Sequence, residues 1–83
     1  MAMIILTNGA SEVIIRDYAF IEFEVNKAHI FLQNGFEITA ELDDTSEAIL
    51  REAVENDKPI RVEVKGYDYS WPEVYVGHIE EGW

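Results

Sequence analysis

The stretch Tyr18–Asn56, YAFIEFEVNKAHIFLQNGFEITAELDDTSEAILREAVEN, decides the fold. It changes hydrophobic period once, near Asp43. Before that point apolar and polar residues alternate, as they do along a strand with one buried face. In Tyr18–Val25, Ile21, Phe23 and Val25 point one way, and Glu22 and Glu24 form a solvated acidic face. Asn26-Lys27 predicts a turn. His29–Gln33 and Phe36–Leu42 read as two further strands around Asn34-Gly35, because Asn-Gly tolerates the positive φ of a tight hairpin. Phe36, Ile38, Ala40 and Leu42 then face inward, and Glu37, Thr39 and Glu41 outward.

From Asp43 the period becomes helical. Ile49, Leu50, Ala53 and Val54 make an apolar stripe. Asp44 is placed to cap, with Glu47 three residues on in a capping-box arrangement. Asn56 and Lys58-Pro59 end the helix.

Working outward, Met3–Thr7 and Glu12–Arg16 flank Asn8-Gly9 and predict a first hairpin. Ile4, Leu6, Val13 and Ile15 share one of its faces, while Met3, Ile5 and Ile14 make the other face apolar as well. Such a hairpin is either sandwiched or open to a second copy, the route to a homo-oligomer. Beyond the helix, Ile60–Lys65 is a strand with Ile60, Val62 and Val64 inward. Gly66–Pro72 reads as an aromatic loop and Val74–Ile79 as the last strand.

The expectation is a single α+β domain over residues 1–83. It has about seven strands in a small bent antiparallel sheet or open barrel, with one α-helix packed on it. Without the first hairpin the element order resembles that of an OB-fold. The basic groove with which OB-folds hold single strands is missing.

The chain has 83 residues, 17 Asp and Glu against 6 Lys and Arg, and a net charge of -11. Glu37–Asp57 holds eight acidic residues and one base, Arg51, and Gly66–Trp83 four acidic residues and no base. This distribution argues against direct contact with nucleic acid or an anionic membrane, both of which draw on clustered Lys and Arg. An apolar fraction of 48% supports a folded core rather than a disordered chain. There is no cysteine, and the short apolar N-terminal run does not read as a secretion signal. The expected location is cytoplasmic.

No catalytic motif, metal-ligand spacing or phosphate loop stands out, so no catalytic residue, metal or cofactor is expected. Asp43, Asp44 and Glu47 lack the alternate spacing and the Gly of a calcium loop. His29 and His78 read as ordinary half-buried histidines. The segment Tyr67, Asp68, Tyr69, Trp71, Glu73 combines aromatics with carboxylates, the residue types that anchor protein interfaces. Glu37, Glu41, Asp43, Asp44, Glu47, Glu52 and Glu55 form an acidic strand–helix surface.

The functional expectation is a small non-catalytic protein that binds a basic protein surface stoichiometrically. Its specific form is an inhibitor that mimics nucleic-acid charge on a nucleic-acid-binding protein or nuclease, as phage-type anti-defence proteins do. The alternative is an assembly module of a homo-oligomer or virion.

Overall fold

The computed structural model describes residues 2–70. Its elements run β1 (Ile4–Thr7), β2 (Glu12–Ile15), β3 (Tyr18–Glu24), β4 (Lys27–Leu32), β5 (Glu37–Glu41), α1 (Asp44–Glu55), β6 (Ile60–Glu63) and β7 (Gly66–Ser70). The α+β expectation holds. The strands form two sheets, β2-β1-β6 and β3-β4-β5-β7. They do not close into a barrel; the arrangement is the bent-sheet form of the expectation with one helix. One pairing departs from an all-antiparallel sheet. β1 and β6 run parallel, with Ile4 beside Ile60 and Leu6 beside Val62. The long connection between them, which carries α1, makes that geometry possible.

One core serves both sheets and the helix. Ile4, Leu6, Ile30, Leu42 and Leu50 are its largest fully buried side chains. The inward sets expected from alternation are mostly buried: Ile4, Leu6 and Ile15; Ile38, Ala40 and Leu42; Val62 and Val64. Val13 and Ile60 pack at its edge.

The turns depart from the simple reading. The β1–β2 connection is a four-residue loop, because Thr7 pairs with Glu12 and Ile4 with Ile15. The Asn8 side chain accepts from the backbone N–H of Ala10 and of Ser11, and Gly9 takes φ 88. A two-residue turn at Asn8-Gly9 would shift the register by two, which keeps every side chain on its face. The predicted faces therefore survive the wrong loop length. In the β4–β5 hairpin, Gly35 N–H donates to Leu32 O and Leu32 N–H to Phe36 O. With Gly35 at φ 90, this is the three-residue turn that ends in a glycine bulge.

The β3–β4 turn is Val25-Asn26 rather than Asn26-Lys27, since Glu24 pairs with Lys27. Val25 therefore sits at the tip, 86% exposed, and not in the core. Asn26 takes the left-handed conformation at φ 59.

The helix is capped one residue earlier than expected. Asp43 is the N-cap, and its carboxylate accepts from Ser46 N–H at 2.7 Å. Those Ser46 contacts hold the Asp43 carboxyl below its ordinary pKa. Ile49 is exposed, and Ser46 takes its expected place in the buried stripe beside Leu50 and Ala53. The Ser46 hydroxyl is satisfied by donating to Glu63 O at 2.8 Å. At the other end Lys58 N–H reaches Ala53 O and Asp57 N–H reaches Val54 O. This is a Schellman motif with Asp57 at φ 51.

Gly66–Ser70 is a strand, correcting the expected aromatic loop. β7 pairs antiparallel with β5, Ala40 beside Tyr67 and Thr39 beside Asp68. The residue types mislead here, because Tyr and Ser suit a loop tip as well as an edge strand. The expected last strand, Val74–Ile79, lies outside the described residues, as do Trp71, Glu73 and His78.

Candidate functional site

Pairing registers lay out the outer face of the four-stranded sheet as a grid, because side chains two apart on a strand, and opposite on neighbouring strands, share a face. One row reads Glu22, His29, Thr39, Asp68 across β3, β4, β5 and β7. The next reads Glu24, Lys27, Glu41, Gly66. The third reads Phe20, Phe31, Glu37, Ser70. Among the described residues the face thus carries the carboxylates of Glu22, Glu24, Glu37, Glu41 and Asp68 against the single ammonium of Lys27. Neighbouring carboxylates on one strand stand about 6.6 Å apart at the backbone. Phe20 and Phe31 stack at one end, ring centroids 4.5 Å apart, and Phe20 is half exposed.

Glu22, Glu41 and Asp68 make no ion pair or side-chain hydrogen bond with any described residue. All three are exposed. Among the described residues no cation lies within ion-pairing distance of them, and they stand on a surface where like charges repel.

His29 organises the remaining two carboxylates. Its Nδ1 lies 2.6 Å from Glu37 Oε2 and its Nε2 3.2 Å from Glu24 Oε2. Thr39 Oγ1 donates to the same Glu37 oxygen at 3.1 Å and sits 3.2 Å from Nδ1. The Nε2 contact is an ion-pair contact rather than an aligned hydrogen bond, and that nitrogen is shut off from water. Glu24 and then Glu37 hold the imidazole pKa above its ordinary value, with partial burial acting in the opposite sense. In a hydroxyl–histidine–acid relay the nucleophile and the acid occupy opposite ring nitrogens. Here Thr39 and Glu37 share Nδ1 and a second carboxylate takes Nε2, so the cluster has no activated nucleophile.

The residues expected to form the site are divided by the fold. Glu37, Glu41 and Asp68 come together on this face. Asp43, Asp44 and Glu47 sit at the start of α1, on the inner side of the sheet, where Arg51 lies 4.5 Å over the Phe23 ring. Asp44 accepts from the Asn26 side-chain amide at 2.9 Å, and Glu47 from the Asn26 backbone N–H at 2.7 Å. Glu47 also pairs with Arg51 at 3.0 Å, and Glu52 with Lys58 at 3.3 Å. Glu55 is exposed farther along the helix.

Tyr67 and Tyr69 lie on the opposite face of β7 from Asp68. Tyr67 packs against the core, and its hydroxyl meets Ser11 Oγ at 2.7 Å. Tyr69 meets Tyr67 edge-on. Burial first, and then Tyr67, push its phenol pKa up. In sequence, Glu22 and Glu24 read as a solvated face and His29 as an ordinary half-buried histidine, not joined into this cluster. Its signal was present in the alternation of β3 and the two hairpins, which together fix the cross-strand register.

The outer face of the other sheet is different. Ile14, Ile5 and Arg61 make one row, and Glu12, Thr7 and Glu63 the next. Arg61 reaches Glu12 at 2.6 Å, which leaves Ile14, 50% exposed, as the one strongly exposed apolar side chain of that face among the described residues.

An open cleft of about 420 Å³ lies between β2 and the β4–β5 hairpin, lined by Val13, Leu32, Ile38 and Tyr69 with Arg16 and Asp17. Among the described residues no group of three or more His, Cys, Asp or Glu is placed to hold a metal ion. No helix among them is long and apolar enough to cross a membrane. Comparison with known proteins finds no matching family, no similar curated protein and no similar solved structure.

Proposed function

We propose that this protein is a non-catalytic binding module whose four-stranded sheet presents its outer face to a basic protein surface. The observation that carries the reading is the grid of five outward carboxylates, three of them without a partner among the described residues. Complementary fields of this kind speed encounter and select the partner. A surface rich in Lys and Arg, of the type that holds nucleic acid, is the matching chemistry. Occupied by this face, it loses access to phosphates. The stacked Phe20–Phe31 pair adds an apolar anchor at the edge of the charged field. An inhibitor of a nucleic-acid-binding protein or nuclease is the specific form of this proposal.

Matched charge removal tests it. Glu22→Gln/Glu41→Gln and Glu52→Gln/Glu55→Gln each remove two negative charges, one pair from the sheet and one from the helix. At low salt the sheet variant is expected to bind a basic partner protein about thirtyfold more weakly, from roughly 1 kcal/mol per contact charge in water. The helix variant is expected to change binding less than threefold, and wild-type affinity to fall steeply with added salt. Equal losses in both variants, or salt-insensitive binding, would contradict the proposal.

A further inference from the structure

We infer that His29 is a pH-operated clasp on the acidic face. Protonated, it pins Glu24 and Glu37 across three strands; neutral, it frees Glu24 and leaves the face one charge more negative. The inference deepens the binding role proposed above and takes that face as the surface whose charge is set.

The geometry singles out this ring. Both of its nitrogens meet carboxylates, Glu37 at 2.6 Å and Glu24 at 3.2 Å. Only an imidazolium has N–H groups on both sides, so the neutral ring must give up one contact. The Glu37 contact is the shorter, is shared with the Thr39 hydroxyl, and involves a side chain 24% exposed. Glu24, 64% exposed, has water as a ready alternative. Glu24 is therefore the arm that opens.

The surroundings set the direction. Glu22 and Glu24 face the ring from β3, Lys27 from its own strand, Glu37 and Glu41 from β5, and Asp68 from β7 beyond Thr39. This field favours the proton, as the raised imidazole pKa reflects. The transition therefore belongs above the ordinary value near 6.5, in a range where carboxylates are already ionised and Lys and Arg still charged. The chain's other imidazole, His78, lies outside the described residues.

Ring-nitrogen NMR of the full chain between pH 5 and 10 tests the clasp, alongside binding of a hexalysine peptide at low salt. The expected result is a His29 transition above 6.5 that moves down in both Glu24→Gln and Glu37→Gln. Peptide affinity should rise about three- to fivefold through that transition, the worth of one unit charge near contact in water. The rise should be absent in His29→Gln and retained in His78→Gln. A His29 transition at its ordinary value, unmoved by either substitution, overturns the clasp whatever the peptide does. So does an unchanged affinity rise in His29→Gln. A clasp seen by NMR in a protein that binds hexalysine at no pH overturns the binding role instead.

Discussion

Two sets of carboxylates in this molecule have the same chemistry and opposite employment. At the start of the helix, acidic oxygens are committed to the fold. Asp43 caps it, Asp44 and Glu47 hold the Asn26 turn, and Glu47 also holds Arg51. On the outer face of the four-stranded sheet, Glu22, Glu41 and Asp68 hold nothing among the described residues. Net charge does not separate the two sets. The partner of each oxygen does, and an oxygen already satisfied inside the fold has little left for a partner protein.

The largest effect should come from the uncommitted set. Neutralising Glu22, Glu41 and Asp68 together is expected to weaken binding to a basic partner about a hundredfold at low salt. Thermal unfolding of the same variant should show no loss of stability and a slight gain, since it relieves self-repulsion. A drop in Tm would show these carboxylates to be structural after all.

The committed set should behave in reverse. Glu47→Ala strips the acceptor from a partly buried backbone N–H, which costs about 1–3 kcal/mol. In a domain of this size each kcal/mol lowers Tm by roughly 4–8 °C. Glu47→Gln keeps an acceptor for Asn26 and should lose less. If Glu47→Ala unfolds at the wild-type temperature, the contrast between the two sets fails.

Ser46→Ala sharpens the same distinction. It removes the bond to Glu63 O that joins the helix to β6, and a loss of about 1 kcal/mol is expected in denaturant titration. The exposed Lys58–Glu52 pair marks the bottom of the scale. Lys58→Ala should change stability by no more than about 0.5 kcal/mol.

The sign of the pH dependence also separates the regions. His29 has a raised pKa in the fold, so its stabilising contribution is complete below about 6.5 and fades as pH rises through the raised value. Asp43 has a lowered pKa, so its contribution is complete above the ordinary value near 3.8 and fades as pH falls through the lowered one. Unfolding free energy measured across pH should decline on both sides. His29→Gln should flatten the alkaline side alone.

Most of the fold was legible in the sequence because alternation is robust. The β1–β2 loop is two residues longer than Asn8-Gly9 suggests, yet Ile4, Leu6, Val13 and Ile15 keep their face. What alternation cannot supply is an element's end. Val25 fits the strand pattern and sits at a turn tip, because Asn26 adopts positive φ and brings Lys27 opposite Glu24. The capping-box spacing points to Asp44, yet the residue before it takes the cap because its carboxylate meets Ser46 N–H.

The site was legible in pieces. Glu37, Glu41 and Asp68 were singled out, and Glu22 and Glu24 read as a solvated face. The two hairpins join Glu22, Glu24, Glu37 and Glu41; adding Asp68 required knowing that β7 lies beside β5, a long-range pairing that the local pattern of Gly66–Ser70 does not encode. The same pairing turns Tyr67 and Tyr69 away from the carboxylates that flank them in sequence.

The most direct test of the central claim is to map, by backbone amide shifts, where hexalysine contacts the protein at low salt. The sheet-face reading predicts the largest changes at Glu22, Glu24, His29, Thr39, Glu41 and Asp68, with little at Glu52 and Glu55. Changes centred on the helix, or spread evenly over every acidic residue, would contradict it.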